Sequence, residues 1–172
     1  MMDAFEAVRT LLAVRNYQDK PVPEASLRRI LEAGRLTGSS MNGQPWHFVV
    51  IQNRDILRQL GSLLRTGLYV AQAPLAIVIA LDHSPYAISD ASRAIQSMLL
   101  TAWMDGLGSN WVGFGGLDPI KPLLGIPAEV EVFAVLPIGY PGDERLGQGK
   151  KRRKALSEVA HREQWGQPFA SN

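Results

Sequence analysis

The apolar run Leu75–Leu81 is the sequence feature that most constrains the fold, because none of its residues carries a polar side chain. A strand with one face in water alternates apolar and polar residues, whereas a strand buried on both faces is apolar throughout. The run is also far shorter than the roughly 20 residues that span a membrane. We therefore predict a strand covered on both faces, in a soluble, cytoplasmic protein without a membrane partner.

The order of the other elements follows from the apolar pattern along the rest of the chain. It predicts helices at residues 3–14, 23–36, 55–64, 89–105, 119–124 and 156–162. It predicts strands at residues 47–51, 75–81 and 131–138, with a short strand or turn at residues 110–113. No repeat or interdomain linker is visible, so residues 1–172 form one domain. The expected class is α+β, with helices packed on a small mixed sheet.

Composition excludes several kinds of site. The chain has no cysteine, so disulfides, thiolate metal sites and cysteine nucleophiles are excluded. The histidines His47, His83 and His161 lack metal-ligand spacing, and we expect no metal. Residues 150–154 (KKRRK) hold five of the 18 basic residues, which leaves 13 basic against 16 acidic residues elsewhere. One local patch argues against a nucleic-acid-binding surface and favours a small anionic ligand or a solvated charge run.

Six short motifs occur in a fixed order. They are LLAVRNY at 11–17 followed by Pro21-Val22, TGSSMNGQPW at 37–46, Ala73-Pro74, GLGSNWVG at 106–113, LGIP at 124–127, and GYP at 139–141 followed by the basic run. Each motif alone is weak, but their order along most of the chain is specific. In this order they resemble the flavin-dependent nitroreductase family.

The resemblance implies a fold, a cofactor and a reaction. The implied fold is an α+β sandwich of helices around a small, mostly antiparallel sheet, in an intertwined homodimer with two FMN molecules at its interface. NAD(P)H would give a hydride to flavin N5, and two electrons would then reach a nitroaromatic, quinone or similar electron-poor acceptor. Because the flavin supplies the chemistry, no catalytic side chain is expected. The sequence accordingly offers no triad or paired carboxylates.

The resemblance also implies which residues contact the cofactor. They are Leu11, Leu12, Ala13, Arg15, Ser39, Ser40, Asn42, Gln44, Trp111, Val112, Gly113, Lys151 and Arg153. Arg15 would place a positive charge near the flavin pyrimidine edge, where negative charge gathers on reduction. The hydroxyl and amide groups of residues 39–44 would bind the ring or ribityl chain of the partner subunit's flavin, because they donate and accept hydrogen bonds as ribityl hydroxyls require.

Two further segments complete this expectation. The turn at residues 110–113 would present backbone N–H groups to flavin N5 and O4, and Gly113 would allow close approach. Trp111 would cover the ring or simply pack in the core. Lys151 and Arg153 alternate along the chain, so in an extended segment both could point at the 5′-phosphate.

One departure from the family pattern concerns residues 11–13, where Leu11-Leu12-Ala13 stands in place of the usual Arg-Arg-Ser. The loss of charge should weaken FMN binding unless Arg9 or the basic run compensates. The replacement could instead mark a different flavin-like cofactor, such as a deazaflavin. The alternative function is a flavin or deazaflavin binding or storage protein with little catalysis. The interval 65–92 is also too short for a helical roof, so the acceptor cannot be inferred.

Overall fold

The computed structural model describes residues 2–113, 116–142 and 151–169. Its helices are α1 (Ala4–Thr10), α2 (Glu24–Arg35), α3 (Arg54–Leu63), α4 (Ala87–Met104), α5 (Ile120–Leu124) and α6 (Leu156–Val159). Its strands are β1 (Trp46–Ile51), β2 (Leu75–Leu81), β3 (Gly108–Ser109) and β4 (Glu131–Gly139). Short 3-10 turns occupy Ser40–Asn42 and Leu68–Gln72. The predicted α+β class is confirmed.

The sheet has the strand order β1-β2-β4-β3, and all three strand pairs are antiparallel. The expectation of a mixed sheet was therefore wrong for the strands, while the mostly antiparallel sheet implied by the resemblance is confirmed. In the described part of the chain, one isolated parallel bridge joins Ala13 to Ser109 of β3. The register of β2 with β4 shifts between Ile79 and Ala80, which marks a bulge.

Strand β2 is buried along its whole length, as the apolar run predicts. Leu75, Ile77 and the other odd-numbered residues pack in one core cluster with α2 and α4. Ala76 and Val78 pack in a second cluster with α3 and α5. Each fully buried Leu or Ile contributes roughly 1.5–3 kcal/mol of hydrophobic stabilisation. The sheet is therefore the middle layer of a three-layer sandwich.

Helix α1 is shorter than predicted, because it ends at Thr10 rather than at residue 14. Leu11 caps the helix by donating its N–H to the Ala7 carbonyl, and the following residues run extended against β3. The apolar spacing of Phe5 and Val8 continues into residues 11–14 but does not decide where the helix stops. Both side chains are exposed on this chain, at 76% and 52%, so the stripe does not cover the core.

Other boundaries also differ from expectation, and α4 begins at Ala87 rather than at residue 89. The strand near residues 110–113 lies two residues earlier, at Gly108–Ser109, while Val112 makes an isolated bridge to Val135. Helix α6 ends at Val159 rather than residue 162. In the described part of the chain, no helix is long and apolar enough to cross a membrane. The same residues contain no group of three or more potential metal ligands.

Candidate functional site

Residues 11–17 form an extended segment fixed against β3. The Val14 N–H donates to the Ser109 carbonyl at 2.8 Å, and the Tyr17 hydroxyl donates to the Val14 carbonyl at 2.7 Å. Burial raises the pKa of Tyr17 far above its usual value, so this hydroxyl remains a donor. These bonds hold the backbone on both sides of Arg15. The Arg15 side chain is exposed and makes no ion pair within the described ranges.

Gly108 lets the segment lie this close to the sheet. A Cβ at this position would lie 2.4 Å from Val14 Cγ2, closer than any real contact. Val14 is β-branched, buried and held by its backbone bond to Ser109, so it cannot move away cheaply. The glycine therefore determines the position of the segment that carries Arg15.

Replacing Gly108 by alanine should lower the free energy of unfolding by about 1–3 kcal/mol, as overpacking typically does. Urea denaturation followed by far-UV circular dichroism measures this change. Gly38→Ala is the matched control, because a Cβ at Gly38 would meet nothing within 4 Å. Equal stability of the two variants would contradict the proposed steric role of Gly108.

The loop at residues 39–44 is polar, and three of its residues have left-handed backbone conformations. The φ angles are 53° at Met41, 56° at Asn42 and 48° at Gln44. Ser39 Oγ accepts the Gln44 N–H at 3.0 Å, and Gln44 Nε2 donates to Asn42 Oδ1 at 3.2 Å. The amide side chains of Asn42 and Gln44 are exposed. This arrangement turns neutral donors and acceptors outward, as binding of a hydroxyl-rich ligand requires.

The loop is attached to α4 through Ser40. Its N–H donates to both carboxylate oxygens of Asp90, at 3.0 and 3.1 Å, and its hydroxyl donates to Asp90 Oδ1 at 3.0 Å. Arg93 forms an ion pair with the same carboxylate. Sequence reasoning missed Asp90 and Arg93. The sequence does contain an indication of Asp90, because this carboxylate interrupts the apolar face of α4 one turn after Ala87.

The turn at residues 110–113 is held on two sides. The Asn110 amide donates to the Tyr69 hydroxyl. The Val112 N–H donates to the Val135 carbonyl at 3.0 Å and its carbonyl accepts the Val135 N–H at 2.8 Å. Val112 is buried, and its N–H is used in the bond to Val135. The backbone N–H groups that this turn could offer to a ligand are therefore those of the residues on either side of Val112.

Those flanking residues are Trp111 and Gly113. The Trp111 ring packs edge-to-face on Phe133, with ring centroids 5.5 Å apart. It also covers Gly113, where a Cβ would lie 2.5 Å from Trp111 Nε1. Trp111 is half-buried in this position, so both expected roles, packing and covering a ligand, remain open to it. A side chain at residue 113 would displace the indole.

The basic segment lies against the C-terminal end of α1. Lys151 Nζ donates to the Val8 carbonyl at 2.7 Å, which satisfies one of the free carbonyls at the helix end. Arg9 is on the same turn and pairs with Glu6. Partial burial and the nearby charges of Arg153 and Arg9 lower the pKa of Lys151. The positive charges of Lys151, Arg153 and Arg9 thus act on one another, and Glu6 balances only that of Arg9 among these three.

The other described residues of the basic run lie in more exposed positions than Lys151. Arg152 and Lys154 are exposed, whereas Lys151 is half-buried. Arg153 is exposed, and its guanidinium donates to the Arg152 carbonyl. Lys150 lies outside the described residues. The structure therefore singles out Lys151 from the basic run.

Direct contacts link three of the four predicted segments. The segment at 11–17 touches β3 immediately before the turn at 110–113, and Lys151 touches the helix that leads into residue 11. Ser109 Oγ lies at the first junction, buried and without a hydrogen-bond partner among the described residues. Leu11 and Leu12 are half-buried and Ala13 is exposed. All three side chains are apolar, so they add no charge to the site. The loop at 39–44 is held instead by α4.

A family model described as the nitroreductase family matches residues 12–79 and 64–140. The chain belongs to the nitroreductase family. The matched residues include the extended segment, the polar loop, the turn and the whole sheet. For this nitroreductase-family chain, the expected family and fold are confirmed.

Relatives agree with this assignment. A Methanothermobacter thermautotrophicus protein, provisionally named NADH dehydrogenase/NAD(P)H nitroreductase, is 37% identical over 151 residues, covering 83% of this chain and 79% of that protein. The FMN reductase [NAD(P)H] of Bacillus subtilis is 24% identical over 188 residues, covering 95% and 74%. The solved structure of an FMN-dependent nitroreductase from Clostridium difficile superposes with a TM-score of 0.83 at 27% identity, covering 92% and 98%.

Proposed function

We propose that the chain is an FMN-dependent oxidoreductase that uses NAD(P)H to reduce nitroaromatic, quinone or similar electron-poor acceptors. The observation that carries the proposal is the contact of residues 11–17 with β3 and of Lys151 with α1. It brings the Arg15 guanidinium, which makes no ion pair among the described residues, to the same side of the fold as a backbone turn and a basic cluster. The names of the relatives support the same cofactor and donor.

The residues present fit FMN. Lys151 and Arg153 are suited to the phosphate, since both are cations that bind phosphate oxygens through N–H donors. Ser39, Asn42 and Gln44 supply neutral groups that match ribityl hydroxyls. Ser109 Oγ, which has no hydrogen-bond partner in the part of the chain that the structure describes, supplies a buried polar atom that a ligand would satisfy. Bound FMN would carry electrons as a hydride at its N5 atom.

Within this proposal the protein binds, orients and tunes the cofactor. Arg15 would stabilise negative charge at the pyrimidine edge through a fixed guanidinium that needs no reorganisation. Trp111 would shield one side of the ligand from water. Gly113 would let the backbone approach closely, where a Cβ would push the indole aside. No described side chain needs to act as a general acid or nucleophile.

The proposed active form is a homodimer with FMN at its interface. Apolar side chains that are exposed on one chain include Phe5, Val8, Leu156, Val159 and Trp165, and Trp165 is 91% exposed. A surface of this kind is typical of an interface rather than of a monomer. The attachment of the polar loop to α4, apart from the other three segments, supports a site completed by a second copy of the chain.

Light scattering coupled to gel filtration should therefore give the mass of a dimer. Phe5→Glu introduces a good helix-forming residue and places a charge on the exposed apolar stripe of α1. We expect this variant to shift toward monomer and to lose at least tenfold in FMN affinity, because the shared site would separate. Far-UV circular dichroism checks that it still folds. A monomeric wild-type protein that binds FMN tightly would refute the shared site.

The proposed function is tested by the visible spectrum and mass of the cofactor released from the purified protein. Reconstituted protein should be yellow, release FMN, and oxidise NAD(P)H when a quinone or nitro compound is added. Protein refolded with excess FMN that stays colourless would disprove the proposal. A released deazaflavin would correct the cofactor and keep the fold assignment.

A second candidate function is flavin binding or storage with little catalysis. It is favoured by Leu11-Leu12-Ala13, which leaves the N-terminal segment with Arg15 as its single cation between residues 10 and 19. Mixing the flavin-loaded protein with NADPH or NADH under anaerobic conditions distinguishes the enzyme from the storage protein. Rapid bleaching of the yellow colour supports the enzyme, and a bound flavin that stays oxidised supports the storage protein.

A further inference from the structure

Asp90 is a buried carboxylate in the first turn of α4. Only 1% of its surface is exposed. The other buried residues of this helix are all apolar: Ala87, Ala91, Ala94, Ile95, Met98 and Ala102. A carboxylate on such a face is costly unless hydrogen bonds and an opposite charge compensate for the lost water. The groups that bind this carboxylate therefore decide what role it has.

The compensation comes mainly from the polar loop. Ser40 supplies a backbone N–H that reaches both carboxylate oxygens and a hydroxyl that reaches Oδ1. Arg93 supplies the opposite charge from the same helix, and its side chain is about half exposed. Arg93 also approaches Ser40 Oγ at 3.4 Å. Asp90 thus joins one loop residue to one helix residue.

The charge state of Asp90 is consistent with this role. Burial alone would raise the pKa of the carboxyl group. The bonds from the Ser40 N–H and hydroxyl and from Arg93, with the charge of Arg93, outweigh burial and lower the pKa. The group therefore stays ionised at and well below neutral pH, and its contribution is lost only as pH falls through this lowered pKa.

The part of the loop that Ser40 begins is strained. Met41 and Asn42, which follow it directly, and Gln44 have left-handed φ angles that residues other than glycine seldom adopt. Inside the loop, the Asn42 N–H donates to the Ser39 carbonyl at 3.1 Å and the Gly43 N–H to the Ser40 carbonyl at 3.0 Å. These bonds close a turn, but they do not attach it to the body of the protein. Asp90 supplies that attachment at the residue where the strain starts.

We propose that Asp90 is a positioning residue for the cofactor: acting through Ser40, it holds the loop so that Ser39, Asn42 and Gln44 face the ligand. The Ser40 hydroxyl then serves the carboxylate rather than the flavin, which revises the role expected for Ser40. This inference rests on the proposed function. It adds a residue from α4 to a site built otherwise from loops and segment ends.

The test compares Asp90→Asn with Asp55→Asn in FMN-reconstituted protein. Asp55 is the matched control, since it pairs with Arg58 at the same three-residue spacing but lies 77% exposed on α3. Asparagine keeps the shape of Asp90 but offers one acceptor oxygen and no charge. We expect the dissociation constant for FMN to rise about tenfold in Asp90→Asn and to stay within about twofold of wild type in the control.

Hydrogen exchange of the cofactor-free protein adds a readout that does not depend on FMN. The amides of Ser40, Asn42 and Gly43 are all hydrogen-bonded, so their exchange reports on the loop. In Asp90→Asn the peptide covering residues 39–44 should exchange about tenfold faster, with the core peptide of β2 unchanged. Faster exchange in both peptides would show a residue that merely stabilises the fold and would overturn the proposal.

A double-mutant cycle with Ser40→Ala tests how Asp90 acts. If the hydroxyl serves Asp90, Ser40→Ala weakens FMN binding severalfold in wild type and has little further effect in the Asp90→Asn background. Independent, additive losses would mean that Ser40 contacts the cofactor directly and would overturn the inference.

The outcomes separate this inference from the proposed function. A wild-type protein that binds no FMN removes the proposed function and the cofactor role of Asp90 together. A wild-type protein that binds FMN, with Asp90→Asn binding equally well, overturns the inference alone.

Discussion

Replacing Arg15 by glutamine should lower kcat for NAD(P)H-dependent reduction of a quinone by about 100-fold. Removal of one fixed group that stabilises developing charge costs a factor of about 10² to 10³ in well-studied sites. Arg15 is suited to this role because its neighbours Val14 and Tyr17 are tied to the fold, and because it makes no ion pair among the described residues. The effect should appear in the anaerobic rate of flavin reduction as well as in turnover.

Two further variants sharpen this prediction. Arg15→Lys keeps the charge and should recover much of the rate. If Arg15 acted only through packing, lysine would not restore the rate. Arg28→Gln, an exposed arginine on α2, controls for the loss of surface charge. The reduction potential of the bound flavin should also become more negative in Arg15→Gln. An unchanged potential together with unchanged kcat would remove Arg15 from the site.

Replacing Lys151 by glutamine should weaken FMN binding by about one to two decades and leave riboflavin binding unchanged. A charge-assisted hydrogen bond to phosphate is worth about 1.5–3 kcal/mol, which corresponds to that loss. Riboflavin lacks the phosphate, so the ratio of the two dissociation constants isolates the phosphate contact. Lys154→Gln, in the same basic run but exposed, is the matched control and should change neither constant.

The pH dependence provides a second measure of the same contact. Protonated Lys151 attracts phosphate, and its pKa is lowered by partial burial and by Arg153 and Arg9. The advantage of FMN over riboflavin should therefore decline as pH rises through the alkaline range, at a lower pH than for an ordinary lysine. Bound phosphate favours the protonated form of Lys151, so the lysine loses its proton at a higher pH in the complex than in the free protein. In Lys151→Gln this decline should disappear, and its persistence would point to another phosphate-binding group.

Much of the fold could be predicted from local sequence, because the elements that form the core have strong patterns. The run Leu75–Leu81 predicted a strand buried on both faces, and its bounds are those observed. The end of α1 could not be predicted in this way. Helical spacing continues past Thr10, but the chain leaves the helix there and Val14 bonds instead to Ser109, which is far away in sequence.

The candidate site was predictable to a different degree in each segment. Arg15 and the loop at 39–44 were indicated by motifs, while the use of the Val112 N–H by Val135 depends on tertiary pairing that no local motif reports. Asp90 was detectable in principle as a carboxylate on an apolar helix face. Its partner, Ser40, comes from another element, so no local pattern connects the two residues.

The left-handed backbone at Met41, Asn42 and Gln44 has a consequence for how this protein can diversify. Valine, isoleucine and threonine are largely barred from those three positions, since branched side chains clash in that conformation. At these positions the left-handed backbone limits which substitutions the fold tolerates, whatever the new side chain could do for the ligand. New ligand preferences would therefore arise more readily at Ser39 or in the turn around Trp111 than at the tip of the loop.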